Sequence, residues 1–238
     1  MKEVHLFLAP DIAQTGELPA DEAAHAVRVL RMKEGDEVII TDGNGRFYEG
    51  EISIASPKHC SINLLRDYAG EPLWKGKIHL AVAPTKNMDR IEWFAEKATE
   101  IGFDCLTFLN CKNSERRVIK TERVEKIVVA ATKQSHKAWK PMVEEMVNFE
   151  KFIKQPFEGQ KFIAHCWTDP AEMPFLADVV DSDSPCLILI GPEGDFSQEE
   201  VKQAEAAGFQ AISLGKSRLR TETAALVAVH LANLAKRI

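Results

Sequence analysis

Past residue 72 the chain alternates short apolar runs with amphipathic segments, and that alternation confines it to an α/β fold with a parallel sheet. Residues 77–83, 105–109, 162–165, 187–190 and 211–214 read as strands, with 162–165 and 187–190 apolar enough to be buried parallel strands. Between them, 89–101 is amphipathic and stops at Gly102. The segment 115–137 reads as one long helix with Val118, Val124, Ile127, Val128 and Ala131 on its apolar face. Ser197 and Glu200 form a capping box that opens a helix over 197–207. A last helix spans 221–236, with Thr221 as its cap. Ala224, Ala225, Leu226, Val227, Ala228, Val229, Leu231 and Ala232 leave that helix almost no polar face. It must be covered on most sides, either as a central core helix or by a second subunit.

The first 70 residues have another rhythm. Strands are expected at 5–9, 36–41, 46–55 and 59–66, with one short helix at 21–31 capped by Asp21. Asp42-Gly43-Asn44-Gly45 supplies turn chemistry. Few helices and many turns suggest a small β-barrel. Tyr68-Ala69-Gly70-Glu71-Pro72 reads as a linker, so the domains expected are 1–72 and 73–238.

Charge is informative in its distribution. The net charge is −6, but residues 71–140 carry 14 basic and 9 acidic side chains while both flanking thirds are acidic. Most of that positive charge lies in 112–140, as either a solvated helix face or a phosphate-binding patch. The five cysteines form no CxxC pair and the seven histidines no HExxH, so neither a disulfide framework nor a metal site is expected. No apolar run approaches membrane length, and Met1-Lys2-Glu3-Val4-His5 lacks the features of a signal peptide. A cytoplasmic protein is the expectation.

Three segments near the C-terminus carry candidate chemistry. Leu189-Ile190-Gly191-Pro192-Glu193-Gly194-Asp195-Phe196 is a strand end entering a glycine-bearing loop, either a tight turn or a ligand loop. Leu214-Gly215-Lys216 repeats the pattern. Arg218-Leu219-Arg220-Thr221-Glu222-Thr223-Ala224 leads into the last helix, with Glu222 near its positive end.

Taken together and in this order, the three segments resemble the S-adenosylmethionine-binding loops of the SPOUT methyltransferases. More narrowly, LIGPEGDF and SLGKSRLRTETA are similar to the family that methylates N3 of a uridine in 16S ribosomal RNA, the RsmE type. The resemblance covers essentially the whole chain. His25-Ala26-Val27-Arg28-Val29-Leu30-Arg31 and Gly35-Asp36 look like that family's PUA-like N-terminal domain, and Lys86, Asp89 and the segment 97–102 match its middle region. One stretch departs from it: where many members carry arginines, residues 133–141 carry lysines and Trp139, keeping Gln134 and Pro141.

The resemblance implies a trefoil-knotted SPOUT domain behind a PUA-like barrel, acting as a homodimer on 16S ribosomal RNA in the 30S subunit, without metal. It implies that Leu189, Ile190, Gly191, Glu193, Gly194, Leu214, Gly215, Leu219, Arg220 and Thr223 hold S-adenosylmethionine. Arg28, Arg31, Lys86, Arg116, Lys133, Gln134 and Lys137 would meet RNA. Uracil N3 must lose a proton before it can attack, so Arg220 is expected to stabilise the anion and Glu222 to act as base or as an arginine partner. His136 is a third candidate base, and Trp139 either stacks on a base or packs within the protein. A non-catalytic RNA-binding assembly factor and a SPOUT enzyme acting on another rRNA or tRNA base are the alternatives.

Overall fold

The structure is a computed structural model describing residues 5–238; the N-terminal stretch read for targeting signals lies mostly outside the described residues. The chain forms two compact units: 1–72 with 129–140, and 73–128 with 141–238.

In the first unit, β1 (His5–Leu8), β2 (Glu37–Thr41), β3 (Arg46–Ala55) and β4 (Cys60–Ala69) form a four-stranded sheet in that order. β1 pairs parallel to β2, and the other pairs are antiparallel. The β2–β3 turn is closed by Asp42, whose Oδ1 accepts the backbone N–H groups of Asn44 at 2.7 Å and Arg46 at 3.0 Å. α1 (Ile12–Thr15) and α2 (Ala20–Ala24) precede a π-helical turn, His25–Val29. The expected cap at Asp21 lies inside α2, whose N-cap is Pro19. Phe7, Ile12, Ala23, Ala26, Val38, Ile40, Ile52 and Cys60 fill the core of this unit.

The second unit holds a six-stranded, all-parallel sheet. Its strands are β5 (Ile78–Val82), β6 (Cys105–Asn110), β7 (Met142–Asn148), β8 (Gln160–Ala164), β9 (Cys186–Ile190) and β10 (Gln210–Ile212), in the spatial order β10-β8-β9-β5-β6-β7. The period-2 alternation sends side chains into two cores. Ile78, Leu80, Val82, Ile188 and Ile190 pack with α3 (Met88–Ile101), α4 (Thr121–Gln134) and α8 (Thr221–Ala235). Ala81, Ala83, Leu187 and Leu189 pack with α5 (Phe149–Phe152) and α7 (Gln198–Ala206) on the other face. α6 (Leu176–Val179) packs against α8. α8 is buried at Ala225, Ala228, Val229 and Ala232, leaves Leu226, Val227 and Leu231 half-buried, and exposes Leu234. Past α8, the fully buried Lys236 ammonium donates to the carbonyls of Asp181, Ser182 and Ser184.

Two further expectations need correction. The helix expected over 115–137 forms only over Thr121–Gln134. Arg116 is instead committed to backbone carbonyls of the 85–86 loop, and the chain turns at Ser135–His136. Thr221 does not cap α8: it is the first helical residue, and Arg220 occupies the cap position without a side-chain cap. Strand β7 went unrecognised in the sequence. It is the sheet's edge strand, and Glu144 and Glu145 break its apolar run.

Candidate functional site

Parallel strands deliver their following loops to one edge of a sheet, and ligands of open α/β sheets bind there. The loops after β8, β9 and β10 enclose a cavity of about 880 Å³, within the range of small-molecule sites. Ile190, Gly191, Glu193 and Gly194 line it from the β9 loop. Leu214, Gly215, Leu219 and Arg220 line it from the β10 loop, so eight of the ten expected cofactor residues converge there.

The loops are braced from within. The Asp195 backbone is left-handed at φ 62°, an uncommon conformation that an aspartate tolerates. Its Oδ2 accepts the Cys166 N–H at 2.8 Å and its Oδ1 the Phe196 N–H at 2.7 Å, tying the β9 loop to the β8 loop. Glu193 Oε1 accepts the Lys86 N–H at 2.8 Å, which ties the β9 loop to the segment after β5. A Cβ on Gly191 would sit 3.0 Å from the Phe196 nitrogen, so any other residue would push the loop backbone aside by a few tenths of an ångström. Gly215 adopts φ +112° with open space above it, and its N–H donates to Ser213 Oγ at 3.1 Å.

Two expected cofactor residues fall elsewhere. Leu189 points into the α7-side core, because alternation along β9 turns only its neighbour Ile190 toward the cavity. Thr223 lines a second, shallower concavity of about 360 Å³ with Asp89, Arg90, Trp93, Arg220 and Glu222. Arg90 and Arg220 line both hollows. Glu222 is 6 % exposed; its Oε1 lies 3.7 Å from Arg90 Nη1, and its buried Oε2 accepts no hydrogen bond from the protein. Trp93 is 44 % exposed beside it.

The residues expected to meet RNA divide similarly. Arg28, Arg31 and Gln134 are exposed in the first unit. Lys133 is not a free cation: it pairs with Glu22, a side chain 6 % exposed, at 2.5 Å. Burial pushes the Glu22 carboxyl above its usual range, against the pull of Lys133. Lys137 is only 7 % exposed. His136 is exposed, and the half-exposed Trp139 packs its ring against Gly45. In the second unit the exposed Lys86 pairs with Glu115 at 2.9 Å, while Arg116 is half-buried on the carbonyls of Thr85 and Lys86.

One cluster of metal-type donors, His79, Cys105 and Glu144, lies across β5–β7. Its members are already engaged: Thr107 Oγ1 bridges His79 Nε2 at 2.7 Å to Glu144. Burial raises the Cys105 thiol to about 12 and lowers His79.

Sequence reasoning missed Arg90, Trp93 and the loop His165-Cys166-Trp167. Nothing local marks them; they reach the hollows because β8 lies beside β9 and α3 beside α8.

Comparison with known proteins adds independent findings. Residues 72–233 match the family model of an RNA methyltransferase domain, and 18–65 that of an RNA methyltransferase PUA domain. A ribosomal RNA small subunit methyltransferase E from Synechocystis is 30 % identical over 234 residues, covering 94 % of this chain and 75 % of the relative. The crystal structure of a probable rRNA-methyltransferase from Porphyromonas gingivalis is 42 % identical, with a TM-score of 0.90 and 98 % of each chain covered. A putative methyltransferase from Legionella pneumophila, solved with bound SAM, is 27 % identical, with a TM-score of 0.88 and 98 % coverage of each chain.

Proposed function

The chain belongs to the RNA methyltransferase family defined by that domain, alongside the ribosomal RNA small subunit methyltransferases E, and from this premise we propose that it methylates N3 of a uridine in 16S ribosomal RNA with S-adenosylmethionine as donor. The observation that carries the reading is the pair of adjoining hollows that share Arg90 and Arg220. One has the size and glycine-lined walls for the cofactor; the other is open, with an exposed tryptophan and a buried carboxylate for an acceptor base.

S-adenosylmethionine supplies a methyl group already activated on a sulfonium, so orientation does much of the work. Ile190, Gly191, Gly194, Leu214, Gly215 and Leu219 hold it by shape and backbone. Glu193 acts through the loop it braces on Lys86. On the acceptor side Glu222, which lines the open hollow, takes the N3 proton of uracil, and Arg220 stabilises the negative charge that develops on the ring. The nitrogen–methyl bond then forms as the sulfur–methyl bond breaks, and neutral S-adenosylhomocysteine leaves. Arg90 and the positive N-terminal end of α8 both face the Glu222 carboxylate.

Arg28, Arg31, Lys86 and Gln134 remain the surface groups for positioning RNA. The half-covered apolar side of α8, at Leu226, Val227, Leu231 and Leu234, supports a homodimer. The return of β9 to the sheet's middle, between β8 and β5, is compatible with the knotted crossing expected of SPOUT domains. Among the described residues no helix is long and apolar enough to cross a membrane, and a ribosomal substrate fits a cytoplasmic protein.

The test is transfer from labelled S-adenosylmethionine to small ribosomal subunits lacking the modification, with the product nucleoside identified by mass spectrometry. We expect 3-methyluridine at one position, lost in Arg220→Ala. Cofactor binding without transfer to subunits or naked RNA would redirect the search to another RNA.

A further inference from the structure

His165 follows β8 directly, lines the cofactor cavity and is 8 % exposed. Its Nδ1 faces the backbone N–H of Trp167 at 3.2 Å. A ring nitrogen that accepts a hydrogen bond carries no proton, so the network assigns the proton of the neutral ring to Nε2. Burial favours that neutral ring by pushing His165 below its usual range, against the pull of Asp195 and Glu205. Nε2 is buried and has no hydrogen-bond partner in the protein. Buried donors are rarely left unmade, and the cavity that His165 lines is the place from which a ligand can supply the partner that the protein does not.

The charges nearby say which part of the ligand fits. Asp195 and Glu205 are the acidic groups acting on the imidazole, so an anionic carboxylate is disfavoured there. Of the cavity's cations, Lys216, Arg218 and Arg220 lie on the loop after β10 and suit the methionine carboxylate. A neutral acceptor, a ring nitrogen or hydroxyl of the nucleoside, suits His165. We infer that His165 is a cofactor-binding residue whose Nε2–H donates to the adenosine half of S-adenosylmethionine; this rests on the cofactor reading above.

Calorimetry tests it on three ligands: S-adenosylmethionine, S-adenosylhomocysteine and 5′-methylthioadenosine, which lacks the amino-acid part. His165→Asn keeps an acceptor for the Trp167 N–H and loses the distal donor, whereas His165→Gln restores a distal N–H. The asparagine variant should weaken all three ligands by about fivefold to tenfold, and the glutamine variant by no more than about twofold. Unliganded melting temperatures of both variants check that the loop is intact. Undiminished affinity in the asparagine variant, or equal losses in both variants, overturns the inference. A loss that spares 5′-methylthioadenosine overturns the adenosine assignment. A wild-type protein that binds none of the three overturns the cofactor reading itself, and the inference with it.

Discussion

Glu222→Gln separates two roles that a buried carboxylate can have. The side chain is 6 % exposed, with Oε1 3.7 Å from Arg90 and Oε2 without a protein donor. At that distance an ion pair gains about 4–5 kcal/mol at an effective dielectric of about 20. Arg90 is 39 % exposed, so solvent screening reduces this to about 2 kcal/mol. The α8 N-terminus adds up to about 1 kcal/mol. Against both stands the desolvation of a carboxylate, several kcal/mol in a protein interior even after relaxation, on the order of 4 kcal/mol here. The neutral amide should therefore stabilise the fold by about 1 kcal/mol, raising the melting temperature by about 2–4 °C for a chain of this size. The same change removes the proposed base, so the transfer rate at saturating S-adenosylmethionine should fall about 10²–10⁴-fold. Cofactor affinity should hold within about twofold, because Glu222 lines the neighbouring hollow and not the cofactor cavity. Differential scanning calorimetry, single-turnover transfer to unmodified subunits and cofactor titration make the comparison. A lower melting temperature with an undiminished rate would refute the reasoning and leave Glu222 as a structural partner of Arg90.

Two further outcomes follow from buried titratable groups. Lys133→Met strands Glu22 without its counter-charge and should cost about 3–5 kcal/mol at pH 7 by urea denaturation. Glu22 is already raised in the folded chain and would rise further, so the folded state takes up its proton before the unfolded one; the deficit should shrink as pH falls toward 4.5, and a constant deficit would count against the assignment. His79 is depressed by burial, so the unfolded chain binds its proton first and stability should decline as pH falls below about 6.5, by up to about 1.4 kcal/mol per pH unit. His165 adds a similar slope, and His79→Gln should remove only its own share; an unchanged slope in that variant would show that the imidazole titrates normally.

The sheet of the second unit was legible because burial writes itself into composition: strands covered on both faces must be apolar along their length, as 187–190 are. β7 escaped because an edge strand has only one neighbour and can carry Glu144 and Glu145. The over-long helix at 115–137 has the opposite cause. Helical spacing persists through Val118, but Arg116 finds carbonyl partners on a loop 30 residues upstream, and those contacts hold residues 115–120 out of the helix.

The site divides along the same line. Gly191 and Gly215 announced themselves because a close backbone approach at one and a positive φ at the other restrict residue type at the position itself. The side chain of Leu189 faces the α7-side core by a rule equally local: successive strand residues face opposite ways. Arg90, Trp93 and His165 carry no such mark. Their roles come from strand order, which seats β8 beside β9, and from the packing of α3 on α8. Backbone-imposed features of a ligand site are thus readable residue by residue, whereas groups contributed by neighbouring elements become visible only when the sheet is assembled. The chemistry proposed here depends on the second kind at its centre: Arg90 comes from α3 and meets Glu222 of α8 across a helix contact that no spacing in the sequence encodes.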